Sequence, residues 1–220
     1  MSSGIDTSPA DSVRAGLSER IAAHDKAGAV ALALAAVADG TVDIPTLYAD
    51  VLSRLMIDLG SQWQEGSLQV WEEHLASAVV RTIVEALYPT VRVIADATPG
   101  NGTHILLTCP PDEAHDLGLR MLADRLDMAG YTTFMLGPDT PGPEIVAAAQ
   151  ALAADLVVLT SSTHFHRLRV RNLVDQLHAQ LPGVRVAVGG PAFAVDSEGF
   201  SPDEMLRLDE LIAPSAKGGE

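Results

Sequence analysis

The sequence predicts an α/β chain in two parts: a four-helix bundle, then a flavodoxin- or Rossmann-like parallel sheet with helices on both faces. Three observations carry this. Up to about residue 95, apolar residues recur at helical spacing with only short interruptions. Ala95 to Gly102 is then rich in Asp, Thr, Pro and Gly and reads as a linker. Beyond it, short continuous apolar runs alternate with helical patterns, which is how strands buried on both faces of a parallel sheet read.

The elements follow in order. Residues 1–10 are small, polar and Pro-containing, and are expected to form a disordered leader. The bundle spans 11–95. Val13, Leu17 and Ile21 mark a first helix; Lys26 to Ala38 forms a second, stopped by Asp39-Gly40. Asp43 caps a third, with Pro45 in its first turn, and Leu47, Val51, Leu55 and Leu59 recur every four residues. Gly66 breaks the run, and a fourth helix is expected from about Leu68 to Leu87. The sheet domain spans 102–214, with strands at 103–108, 132–136, 156–160 and 184–188. Helices are expected at 115–128, 143–153 and 167–180. A short closing strand is expected near 210–213, then a loose tail from Ser215.

Composition narrows the function. A formal net charge of -15 and the lack of any basic tract argue against direct nucleic-acid binding, which needs clustered Lys and Arg. The single cysteine, Cys109, excludes an internal disulfide and a paired-cysteine metal site. No apolar run is long enough to span a bilayer, so no membrane partner is expected and the plain expectation is a cytoplasmic protein.

The most informative stretch is Asp112-Glu113-Ala114-His115-Asp116-Leu117-Gly118, on the loop leaving the first strand. Such a loop lies over the carboxyl edge of a sheet, where open α/β folds bind ligands. Imidazole is a common metal ligand, oriented by a nearby carboxylate. Glu113, Asp112 or Asp116 can steer His115, and Gly118 lets a bulky ligand approach the backbone. Two further segments end strands at the same edge: Thr160-Ser161-Ser162 and Gly189-Gly190-Pro191. His164 and His166 flank Phe165 nearby, but without a third ligand they make a poor zinc site.

Together these segments resemble the cobalamin-binding domain, with its Asp-x-His-x-x-Gly, Ser-x-Leu and Gly-Gly pattern. The resemblance implies a corrinoid cofactor with His115 below the cobalt in place of the cofactor's own base. It also implies a displaced nucleotide tail in a slot lined by the serine hydroxyls and Gly189-Gly190. Glu113 stands where that family has Asp, and the Thr160-Ser161-Ser162 segment lacks the leucine, so which hydroxyl replaces the family serine stays open.

In the helical half, Trp63 is followed after nine residues by Glu73-His74. This resembles the Trp-x9-Glu-His motif of CarH/LitR-type photoreceptors, which sense light through adenosylcobalamin. The resemblance implies a helical cap in which Trp63, Val70, Glu73 and His74 face the adenosyl group. Gln64 stands where the best-known members carry a histidine. A helix-turn-helix domain of the kind those regulators carry is not recognised in this sequence, so DNA binding is not carried over. The expectation is a non-enzymatic, cobalamin-binding light sensor that signals through oligomeric state or a separate regulator protein. The alternative is a corrinoid methyl carrier holding methylcobalamin, and a third is a binding module without any corrin.

Overall fold

Ser8 starts the first helix by accepting the Asp11 amide on its hydroxyl at 3.1 Å, with Pro9 at the first helical position. The computed structural model describes residues 8–162, 167–194 and 197–212. Helix α1 (Pro9–Ala22) therefore begins inside the segment expected as leader. The remainder of that leader, the His164-Phe165-His166 segment and the tail from Ser215 lie outside the described residues. The chain divides into two units, Met1–Val91 and Arg92–Glu220.

In the first unit, α1 buries Val13, Leu17 and Ile21, and α2 (Lys26–Ala38) buries Ala29, Ala33 and Ala36. The small residues of α2 permit a close approach. A Cβ added at Gly16 of α1 would fall 2.9 Å from the Leu32 side chain. Asp43 caps α3 (Ile44–Thr46) by accepting the Thr46 amide at 2.7 Å. The run then widens into a π-helical stretch, Leu47–Leu52, before α4 (Ser53–Gln64) resumes regular geometry. Leu47, Tyr48, Val51 and Leu52 are all buried there, so the buried face is wider than the Leu47, Val51 repeat alone.

Helix α5 (Val70–Ala97) is longer than expected and takes in the first three residues of the expected linker. The fourth helix was expected to end near Leu87, but it continues past Pro89, whose ring costs one amide donor and crowds the preceding turn.

In the second unit, β1 (His104–Thr108), β2 (Thr132–Gly137), β3 (Leu156–Thr160) and β4 (Arg185–Gly189) form one parallel sheet in the order β2-β1-β3-β4. Helix α6 (Leu117–Met128) packs Leu119, Leu122, Ala123 and Leu126 with Ile105, Leu107 and Val158 on one face. Helices α7 (Gly142–Ala151) and α8 (Arg167–Gln180) pack with Leu106, Val157 and Leu159 on the other. Consecutive strand residues thus point into different cores, which explains the unbroken apolar runs.

After β4 come the single turn α9 (Pro191–Ala194) and α10 (Leu208–Ile212). The segment expected as a closing strand is therefore helical in its described residues. Leu208, Leu211 and Ile212 are spaced to lie on one helix face, and all three pack against the α6 side of the sheet.

Arg171 of α8 anchors the segment between α9 and α10. It donates to both carboxylate oxygens of Glu204 at 2.9 Å and lies over the Phe200 ring. Hydrogen bonds from Arg171 bring the Glu204 carboxyl down to about 2, against the opposing effect of burial. Arg171→Ala is expected to cost about 1–3 kcal/mol by taking from a poorly solvated carboxylate its two guanidinium hydrogen bonds. Hydrogen exchange should accelerate around Gly199–Leu206; unchanged protection there would place the anchor elsewhere.

Candidate functional site

The strand order reverses between β1 and β3, and their following helices leave on opposite faces. This opens a crevice at the carboxyl ends of the two strands, the usual ligand position in such sheets. Both motif segments, 112–118 and 160–162, lie there.

Glu113 is the hub. It is only 1% exposed, and it accepts four hydrogen bonds. Its Oε1 accepts from the His115 backbone amide at 3.0 Å and from the ring Nδ1 at 2.5 Å. Its Oε2 accepts from Ser161 Oγ at 2.9 Å and the Ser162 amide at 2.7 Å. Burial pushes the carboxyl up, but the bonds from His115, Ser162 and Ser161 outweigh it and bring it down to about 2.

Of the three carboxylates able to steer His115, the structure therefore selects Glu113. Asp112 instead pairs with Arg169 of α8, and the buried Asp116 lies at the start of α6. The longer arm of Glu reaches across the crevice and joins the loops after β1 and β3. With Nδ1 donating to Glu113, Nε2 is the ring nitrogen that carries the lone pair, and the imidazole is 67% exposed.

The three residues ending β3 have different partners. Ser161 bonds Glu113, Ser162 contributes its backbone amide, and Thr160 Oγ1 faces Cys109 Sγ at 3.6 Å. Burial raises the Cys109 thiol to about 11, against the Thr160 hydrogen bond, with Glu113 and Asp116 adding to the rise. It is a buried, neutral thiol at neutral pH.

On the β4 side, Gly190 has φ +101°, and a Cβ there would lie 2.5 Å from the Ser161 carbonyl oxygen. Ser161 in turn accepts the Gly189 chain as neighbour: its amide donates to Gly189 O at 3.1 Å. A Cβ at Gly189 would press on Leu206 at 3.0 Å. Pro191 opens α9. The Gly-Gly pair is thus required by close packing of the loops after β3 and β4.

The helical unit carries the other predicted residues at the α4–α5 turn. Trp63 is next to last in α4 and 47% exposed, and Val70 begins α5 and is exposed as well. Glu73 accepts from Ser77 Oγ at 2.5 Å and lies 2.6 Å from His74 Nδ1. Gln64 ends α4 and is exposed. Sequence reasoning missed Asp139 after β2, which bonds the loop carrying Glu113. Its position in Gly137-Pro138-Asp139, directly after a strand, was the available signal.

Two family models, each described as a B12 binding domain, match the chain at residues 13–88 and 103–209. The chain belongs to the B12-binding-domain proteins, and its cofactor is a corrinoid. It is similar to the HTH-type transcriptional repressor CarH of Myxococcus xanthus, 34% identical over 68% of this chain and 49% of the repressor. It is also similar to trimethylamine corrinoid protein 1 of Methanosarcina acetivorans, 24% identical over 64% of this chain and 66% of that protein. The chain thus spans about half the length of the repressor.

Among solved structures, the Methanosarcina barkeri monomethylamine corrinoid protein superimposes with a TM-score of 0.75 at 20% identity. That match covers 91% of this chain and 95% of that one, and shows a shared fold.

The residues present fit a corrinoid. His115 offers an exposed imidazole nitrogen with its tautomer set by a carboxylate, as metal-binding histidines require. At Gly118 a Cβ would meet nothing within 4 Å, so the start of α6 is open to a large planar group. Among the described residues no cluster of three or more His, Cys, Asp or Glu competes for a metal ion, and no helix is long and apolar enough to cross a membrane.

Proposed function

We propose that this chain is a light sensor that binds adenosylcobalamin with His115 as the lower cobalt ligand. The observation that carries the reading is the Glu113-held imidazole at the switch point, taken with the likeness to CarH and the Trp63, Glu73-His74 spacing. When bound, adenosylcobalamin supplies a cobalt–carbon bond that green light breaks.

The chain's own residues have distinct parts in this reading. Glu113 fixes the tautomer and aim of His115, and Ser161 and Ser162 hold Glu113 ionised. Ser161, Gly189 and Gly190 line the slot for the nucleotide tail, with Thr160 and Pro191 at its margins, and Gly118 leaves the corrin room. Asp116, buried at the start of α6, supports the His115 loop. Trp63 and Val70 offer the apolar surface, and Glu73 and His74 the polar groups, that a helical cap presents to an adenosyl group. Loss of that group leaves these side chains to repack, which is the two-state element a signal needs. The output passes to a separate regulator protein or a change in oligomeric state, and the chain has no enzymatic step of its own.

The test is to load the protein with adenosylcobalamin in the dark, record its visible spectrum and illuminate with green light. A His-ligated dark spectrum that converts rapidly, with a shift in elution volume, supports the sensor. The fold shared with the monomethylamine corrinoid protein favours one second reading, a methyl carrier. In that case methylcobalamin binds instead and its methyl group passes to a thiol acceptor.

A further inference from the structure

The loop that carries Glu113 and His115 is tied to the neighbouring loop after β2 by four hydrogen bonds. Cys109 N–H donates to Gly137 O at 2.9 Å, and Thr140 N–H donates to Cys109 O at 3.2 Å. Asp139 N–H donates to Glu113 O at 3.0 Å, and Asp112 N–H donates to Asp139 Oδ1 at 2.9 Å. The last two form a reciprocal pair: Asp139 grips the peptide units on both sides of the Asp112–Glu113 link.

Both aspartates adopt left-handed backbone, with φ 67° at Asp112 and φ 49° at Asp139. That conformation is uncommon for a residue with a side chain and is held only where its surroundings dictate it. Here it aims the Asp112 amide away from its own loop and onto Asp139. The alternative brace, the Asp112–Arg169 ion pair, joins two exposed side chains and contributes little.

We infer that Asp139 is a positioning residue for the axial ligand: its carboxylate and amide hold the backbone of Glu113 at the point from which that side chain can reach both His115 and Ser161. The inference rests on His115 being the cobalt ligand. Glu113 makes bonds to both sides of the crevice, so a displacement of its backbone strains one set or the other. Asp139 touches neither the ring nor the serine; it acts through Glu113.

The experiment loads the full chain with adenosylcobalamin in the dark and reads the visible spectrum and dissociation constant. Asp139→Gly removes the acceptor while tolerating the left-handed backbone. Asp139→Asn keeps an acceptor oxygen at the same reach. Asp112→Gly keeps the donating amide and deletes the ion pair with Arg169. The expected result is that Asp139→Gly loses His ligation in much of the protein and binds about fivefold to tenfold more weakly. Asp139→Asn and Asp112→Gly should retain the wild-type spectrum.

Wild-type ligation in Asp139→Gly would overturn the inference, as would equal loss in all three variants, which marks general loop damage. Should Asp139→Gly not fold, Asp139→Ala is read by the same criteria. If wild type and His115→Ala have the same spectrum, His115 is not the ligand and the functional reading itself fails. If those two differ while Asp139→Gly matches wild type, only the role of Asp139 falls.

Discussion

Glu113→Ala is expected to destabilise the protein by about 3–5 kcal/mol and to release His115 from its fixed aim. The substitution removes the acceptor for four donors at once, and those of Ser161 and Ser162 lie well inside the crevice. Glu113→Gln is a sharper probe. One terminal atom becomes an NH2 donor and must face either the His115 donors or the Ser161 and Ser162 donors. Either way one side of the bridge is lost while the volume is kept. Urea unfolding at neutral pH measures the cost. A change below about 1 kcal/mol for the alanine variant would mean that the loops on both sides hold without the bridge.

The same carboxylate sets an acid limit. Its folded value near 2 lies below the ordinary 4.5, so the unfolded chain takes up the proton first as pH falls. The stabilisation is fully present above about pH 4.5 and is lost as pH falls through that value toward 2. At most about 3 kcal/mol is involved. Wild type should therefore lose stability more steeply than Glu113→Gln between pH 5 and 3. Parallel slopes would show that other carboxylates dominate acid unfolding.

Gly190→Ala is expected to be nearly as costly, at about 2–4 kcal/mol, although it adds a single methyl group. The residue's φ of +101° disfavours any side chain, and the new Cβ would meet the Ser161 carbonyl oxygen at 2.5 Å. Relief requires moving Ser161, which also loosens its hydroxyl bond to Glu113. The damage thus extends from β4 across β3 to His115. A melting temperature lowered by several degrees, with weaker corrinoid binding, is the expected outcome. Gly118→Ala is the internal control for the fold: its Cβ enters open space, so the apoprotein should melt as wild type does.

Much of this was legible before any coordinates. The span of α2, Lys26 to Ala38, was read with its Asp39-Gly40 stop, and the structure adds Asp25 as its cap. β3 and α8 are bounded as cleanly, by the switch from a continuous apolar run to helical spacing. The errors have equally local causes. The fourth helix was expected to end near Leu87, yet α5 continues to Ala97 with Leu87 and Val91 on its buried face. The stretch at 210–213 looked like a strand because four residues are too few to distinguish the two periods.

The sequence by itself determined the alternation of strands and helices and the order of the three motif segments in the chain, and it singled out His115 as the candidate ligand. Those properties depend on spacing and residue type, which the chain states directly. Only the tertiary structure decided that Glu113 rather than Asp112 or Asp116 holds the imidazole, that Ser161 donates its hydroxyl to Glu113, and that Asp139 bonds the loop carrying Glu113. These choices turn on where side chains far apart in the chain meet, Glu113 with Ser161 and Asp112 with Asp139. Such meetings are set by the pairing of β1 with β3 on one side and β2 on the other, and by backbone angles at single residues, neither of which leaves a periodic trace.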